Sequence, residues 1–215
     1  MVTTLPLPRS RLENLTDGIF AVTMTLLVLD LKFPEHVFDL ESSAWVAMLA
    51  TLNRLDDYVI SFVALCVFWL AHLRLLRRLK EPDMTFVWLN LAFLLLTTFL
   101  PALTALIGEN PTHPRAAILY GSNLALILVV EMLMWERMCR RLANESVLDP
   151  AALWRFVRIR YAVAIGIVVA GVLIALVEIR LGVSEGKASY IYLLMIGVGI
   201  AKPMFGRERV RAPEP

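Results

Sequence analysis

Residues 11–31 read RLENLTDGIFAVTMTLLVLDL, a run apolar enough to enter a bilayer that nevertheless carries Glu13, Asn14, Thr16, Asp17, Thr23 and Thr25 in or beside it. A helix needs about 20 mainly apolar residues to cross the hydrocarbon core. Ionisable groups within such a span are expensive and face protein or a water-filled path. This segment is therefore not a plain lipid-facing anchor. At 100° per residue, with Asp17 at zero, Val22, Leu26 and Leu29 fall at about 140°, 180° and 120°, with Gly18 near 100° and Thr25 near 80°. They form one narrow stripe. Asp17 and Ala21 lie at about 0° and 40°, where a carboxylate and a small residue can dock against neighbouring helices. By itself the stripe reads first as a packing seam between helices and only second as the lining of a pore.

The rest of the chain sets this segment in a membrane domain. Of 215 residues, 59% are hydrophobic and 19% charged, against about 45–50% and about 25% in soluble domains. That excludes an ordinary soluble globule. The apolar residues fall into blocks separated by short basic loops, so one transmembrane domain spanning 1–215 is expected, all-α, with helices at roughly 15–31, 58–76, 85–107, 116–138, 161–179 and 188–201. The sixth block is short and Gly-rich, with Pro203 just beyond it, and reads as a full span or a half-span. A basic tail, 202–215, follows. The leader MVTTLPLPR lacks the small-residue cleavage pattern of a signal peptide.

Alternating the loops across the membrane sorts the basic residues sharply. Arg9, Arg11, Arg74, Arg77, Arg78, Lys80, Arg137, Arg140, Arg141, Arg155, Arg158, Arg160, Lys202, Arg207, Arg209 and Arg211 fall on one side. Only Lys32, Arg54, Arg115, Arg180 and Lys187 fall on the other. Cytoplasmic loops retain Lys and Arg, so the split predicts six crossings of the cell (inner or plasma) membrane with both termini cytoplasmic. The net charge of +2 is too small to suggest nucleic acid binding, and the basic clusters are read as a topology signal. In the long connection between the first two spans, Trp45, Met48, Leu49 and Leu52 recur at i, i+3, i+4 and i+7. This predicts an amphipathic helix over 44–55 lying on the outer interface.

No enzyme chemistry is visible. Asp17-Gly18 begins like a lipid-headgroup transferase motif, but the further spaced Asp residues do not follow, Asp56-Asp57 is an isolated pair, and GxSxG, HExxH and Gly-rich phosphate loops are absent. Cys66 and Cys139 have neither a CxxC arrangement nor a His at ligand spacing, which predicts two buried thiols and no metal site. No cofactor is expected. A secondary transporter of a cation or small solute is the alternative to a channel. It would show paired repeats with broken helices, and the halves lack self-similarity. Pro101 is the only proline well inside a strong span. Asn123 is read as the single polar group of the fourth helix, an interhelical hydrogen bond rather than a substrate contact. Ala162, Gly166, Ala170 and Gly171 are read as small surfaces for close helix contact.

Residues 11–31 resemble the signature of the potassium channel family typified by the endo-lysosomal transmembrane protein 175 and its bacterial relatives: an Arg, three residues, Phe-Ser-Asp, then Ala-Ile, Thr-Leu-Leu and Leu. Arg11, Asp17, Ala21, Thr25, Leu26, Leu27 and Leu29 match, while Leu15, Thr16 and Val22 stand for the Phe, Ser and Ile. In the second helix Tyr58, Ser61, Phe62, Trp69 and His72 fit a pattern ending in Trp, two residues, His-His, with Leu73 in place of the second His. Asn90, Pro101 and Gly108-Glu109 fit in the third. The resemblance implies a homotetramer of six-helix subunits, embedded in the lipid bilayer, whose first helices line an axial pore. Val22, Leu26 and Leu29 would be stacked hydrophobic constrictions and Thr25 a layer of hydroxyls. The permeant species would be potassium, with modest selectivity over sodium among monovalent cations, and no metal would be held otherwise. Arg11, Thr16, Asp17 and His72 would form a network fixing the pore helix, with His72 either a satisfied structural group or a source of pH sensitivity. No TVGYG filter occurs in the sequence.

Overall fold

The computed structural model describes residues 8–29, 44–79, 81–110, 112–144, 150–183 and 191–192. Its elements are α1 (Arg9–Leu29), α2 (Ala44–Arg78), α3 (Met84–Thr98), α4 (Leu100–Glu109), α5 (Pro114–Asn144) and α6 (Pro150–Arg180). Five stretches are long and apolar enough to span a membrane: Arg9–Leu29, Tyr58–Arg78, Met84–Glu109, Pro114–Arg141 and Trp154–Arg180. They cover the five strong blocks expected from the sequence. Of the sixth, only Ile191 and Tyr192 lie among the described residues.

The third span is two helices because of Pro101. Proline brings no N–H and its ring crowds the carbonyl four residues back, so the chain breaks between Thr98 and Leu100 and resumes with Pro101 in the first turn of α4. Polar side chains gather around this break. Asn123 Nδ2 donates to the Leu96 carbonyl at 3.2 Å, Thr104 Oγ1 donates to Leu100 O at 2.8 Å, and Thr104 and Ser61 lie 3.1 Å apart, hydroxyl to hydroxyl. Asn123 is thus an interhelical hydrogen bond, but it is not the single polar group of its helix: Glu131 lies in the same span and is buried. The segment over 44–55 does not form a separate interfacial helix. It is the first third of the 35-residue α2, continuous with the span.

α5 and α6 make the most extensive pair, and α1 packs on α2, α3 and α4. At the basic end, Asp83 caps α3 by accepting from the Phe86 N–H at 3.2 Å, a role for which aspartate is well suited. The same carboxylate accepts from Arg137 Nε at 2.9 Å and pairs with Arg141 at 3.2 Å, while Arg141 donates to Glu81 O at 2.8 Å. The α2–α3 turn is thereby fastened to the end of α5. Partial burial alone would raise the Asp83 carboxyl; the hydrogen bonds from Arg137 and Phe86 N–H and the charges of Arg141 and Arg137 outweigh it and hold the group below its ordinary value. At the α5–α6 seam, the Tyr192 ring fills a slot that only glycines leave open. A Cβ on Gly171 would come within 2.6 Å of Tyr192 Cε1, and one on Gly121 within 2.6 Å of Tyr192 Cζ and 2.9 Å of Val172. The Tyr192 hydroxyl donates to Ala117 O at 2.7 Å. Ala162, Gly166 and Ala170, by contrast, are exposed in this chain, so of the four expected small contacts only Gly171 is buried.

Two outcomes follow for the solubilised protein. Gly121→Ala overpacks the Tyr192 slot and should lower stability by about 1–3 kcal/mol, read as a reduced thermal midpoint. A carboxyl held low in the folded state stabilises fully above its unfolded value of about 3.9 and loses that contribution as the pH falls through the folded value. The acid limb of the melting profile should therefore flatten in Asp83→Asn between about pH 5 and pH 3.

Candidate functional site: the outer face of α1 and its brace

α1 buries a single stripe, Leu12, Thr16, Phe20, Thr23 and Leu27, against its own chain. Phe20 packs on Phe93 of α3, ring centroids 5.9 Å apart, and Phe93 stacks in turn on His72 of α2 at 4.4 Å and 8°. This aromatic column fixes the rotation of α1. The opposite half of the helix is left uncovered: Leu15 is 44% exposed, Val22 56%, Leu26 42% and Leu29 74%, and Asn14, Asp17, Gly18, Ala21 and Thr25 are exposed with them. On the wheel used above, the buried stripe centres near 260° and Thr25 sits near 80°, directly across.

Thr25 has a specific chemical disposition. Its hydroxyl donates to the Val22 carbonyl of its own helix at 2.8 Å, so its proton is spent inward. What the oxygen offers outward is lone pairs, the right partner for a cation.

The four residues expected to brace the helix do not share one network. Asp17 accepts from Trp69 Nε1 at 2.8 Å, and His72 Nε2 bonds Asn90 Oδ1 at 2.8 Å in full burial. Thr16 is buried, but its hydroxyl finds no partner; His72 Nδ1 and Asn90 Nδ2 are likewise buried and unpaired. Arg11 is exposed and its side chain bonds none of them. The reason is the one its wheel position gives: near 120°, Arg11 points away from the buried stripe. The basal tie is made instead by Arg9, whose guanidinium bonds Glu13 at 2.8 Å and reaches the Arg77 and Leu79 carbonyls at 3.2 and 3.4 Å. Those carbonyls end α2, where a cation suits both the orphan acceptors and the helix dipole. Trp69 and Asn90 thus complete the brace; both stand in the pattern quoted from the second and third helices.

The sequence reading missed one ionisable group altogether. Glu131 of α5 is 1% exposed and is hydrogen-bonded by the Tyr161 hydroxyl of α6, which itself accepts from Trp135. Cys139 is buried but Cys66 only half-buried, and both are free. Among the described residues no group of three His, Cys, Asp or Glu is placed to hold a metal.

The family described as endosomal/lysosomal potassium channel TMEM175 matches residues 11–101, which hold α1 from Arg11 onward together with Trp69, His72 and Asn90. A potassium channel of Streptomyces collinus is 31% identical over 158 residues, covering 71% of this chain and 75% of that protein. A potassium channel of Chamaesiphon minutus is 33% identical over 130 residues, covering 59% of this chain and 64% of that protein. In three dimensions the chain is similar to the crystal structure of a lysosomal potassium-selective channel TMEM175 homolog from Chamaesiphon minutus, with a TM-score of 0.64 and 26% identity over 87% of this chain and 97% of that one.

Removing the Asn90 amide strands His72 Nε2 in a dry core, and an unpaired buried group costs about 1–3 kcal/mol. Asn90→Ala should lower the thermal midpoint accordingly, while Arg11→Ala, which breaks no contact of the brace, should leave it within error.

Proposed function

Because the chain belongs to the family of the endosomal/lysosomal potassium channel TMEM175, we propose that it is a potassium channel of the cell membrane, a homotetramer of six-helix subunits whose α1 helices surround an axial pore. The observation that carries this reading is the uncovered half of α1. Asn14, Asp17 and Thr25 are exposed there, and an ionised Asp near the middle of a lipid-facing helix costs about 2.5–3.5 kcal/mol on insertion scales. Lipid is a poor partner for that surface. Other copies of the chain and a column of water are good ones.

In this arrangement Val22, Leu26 and Leu29 converge as apolar rings. A narrow apolar constriction empties of water and blocks ions until it widens, so a small change in radius switches conduction. Thr25, one turn from Val22, presents its oxygen lone pairs to a partly dehydrated ion. Potassium surrenders water more readily than sodium, which gives preference for potassium without strict exclusion of sodium. The brace of Asp17–Trp69 and His72–Asn90 holds each α1 at a fixed rotation so that the rings stay in register; Thr16 belongs to its buried side, and Arg11 lies at the pore entrance rather than in the brace. The topology is that of both termini in the cytoplasm. In support, Arg9, Arg77, Arg78, Arg137 and Arg141 gather at one end through the contacts of Arg9 with α2, Arg78 with Trp135, and Arg137 and Arg141 with Asp83.

Purified protein in planar bilayers should give unitary cation currents whose reversal potential follows the potassium gradient more closely than the sodium gradient, with a proton gradient as the third arm. Val22→Asn or Leu26→Asn should hydrate the constriction and raise conductance several-fold, whereas Thr25→Val should weaken potassium preference. Slow saturable exchange without unitary currents would favour the transporter reading, and absence of any cation current would end the channel reading.

A further inference from the structure

We propose that Glu131 is a proton-binding site of the membrane domain, set at the α5–α6 seam away from α1, and that release of its proton loosens that seam. Its geometry is unlike that of a structural ion pair. The side chain is buried deep in the span Pro114–Arg141 among Ile127, Leu128 and Met134, themselves fully or nearly fully buried. One carboxyl oxygen accepts from the Tyr161 hydroxyl, which is held in turn by the Trp135 indole N–H. The other oxygen, Oε1, is sealed from solvent with no hydrogen-bond partner.

A bare carboxylate oxygen in an apolar seam is among the least favourable states a side chain can take. Three ligands could relieve it: water, a metal cation or a proton. Water needs two to four polar partners, and Oε1 makes no hydrogen bond. A dehydrated cation needs several oxygens, and among the described residues no group of three His, Cys, Asp or Glu is placed to hold one. A proton needs only the oxygen itself. The groups that face the site from the packed elements are few. α6 contributes Tyr161 and the charge of Arg160; α3 has no ionisable residue; α2 brings Arg78 over the Trp135 ring at 5.8 Å; and Glu109 ends α4. Arg160 favours the ionised form, but it is only partly buried, where solvent screens its charge. The step is a simple ionisation: the O–H bond of the Glu131 carboxyl breaks, the electron pair stays on Oε1, and the proton passes to water at the membrane surface. The carboxylate left behind then draws water or counter-charge into the seam, which separates α5 from α6.

The test is spectroscopic and independent of conduction. Infrared spectra of the purified protein in lipid at neutral pH should contain the C=O band of a protonated, buried carboxyl that is missing from Glu131→Gln and fades as the pH is raised. In Tyr161→Phe the band should persist at higher frequency, because its hydrogen bond is gone. If the folded chain holds this proton and the unfolded chain does not, folding takes up a proton and stability falls as the pH rises above the unfolded carboxyl value of about 4.3. The thermal midpoint of the wild type should therefore decline on the alkaline side, and that decline should be absent from Glu131→Gln. A neutral-pH spectrum without a Glu131-sensitive band, or the same alkaline decline in both proteins, overturns the proposal. Should Glu131→Gln fail to assemble, a wild-type band unmoved by Tyr161→Phe overturns it equally.

Discussion

A bilayer cannot hydrate what a helix leaves exposed, and α1 leaves exposed a half-cylinder holding Asn14, Asp17, Gly18 and Thr25 beside Val22, Leu26 and Leu29. In water such a mixed surface is unremarkable. In hydrocarbon its polar members have no solvent, and the insertion cost of one acidic residue is of the order of the whole net gain from packing a few side chains. This constraint organises the subunit. Among the described residues, the chain's own elements cover only the stripe of Leu12, Thr16, Phe20, Thr23 and Leu27, and the proposed assembly is what would cover the rest.

Holding one half of a helix firmly while keeping the other half open calls for contacts of a particular kind. Apolar contact alone gives little drive between helices in lipid, since the tails are as apolar as leucine. The structure uses an aromatic column, Phe20 on Phe93 on His72, locked by the buried His72–Asn90 hydrogen bond, and it pins the edge of α1 through Trp69 to Asp17. Arg9 fixes the base. The hydroxyls of Thr23 and Thr25 bond back to Ile19 and Val22 on their own helix, so neither requires a partner helix to satisfy its proton. Threonine can therefore sit on either face of α1, buried at Thr23 and open at Thr25.

How much of this was legible depended on whether the signal was periodic or pairwise. Five spans announce themselves by length and hydropathy, and the stripe on α1 is visible from a 100° repeat; both lie in segments whose composition departs from any soluble background. Pairings across helices carry no such periodicity. Trp69 and Asn90 are readable as motif positions, yet nothing in sequence spacing assigns Trp69 to Asp17 rather than Arg11. Arg9 and Arg11 are two residues apart and differ only in the direction they leave the helix, which decides that one reaches α2 and the other does not. The repeat over 44–55 marks a helix but says nothing of whether that helix ends before the span or runs on into it. Gly121 and Gly171 are fifty residues apart in sequence, and only the ring of Tyr192 between them explains why both lack a side chain. Glu131 was obscured by its neighbours: Val129, Val130, Met132, Leu133 and Met134 give a window apolar enough to average the charge away.

Asp17 and Glu131, both within spans, meet the same electrostatic penalty in opposite ways. Asp17 lies at the rim of the α1–α2 contact, exposed in the single chain, with one indole donor on one oxygen; its remaining acceptor capacity faces the surface that other copies or water would cover. Glu131 is enclosed on all sides by its own chain, with one donor and one sealed oxygen. An acid on an open surface depends on what covers that surface, and in the proposed channel Asp17 would meet neighbouring copies or water. An acid closed within α5 and α6 has no such recourse, and the smallest available ligand is the one that leaves the packing undisturbed. The same side-chain chemistry thus separates by geometry alone into a group that depends on what lies outside the subunit and a group whose state is decided within it.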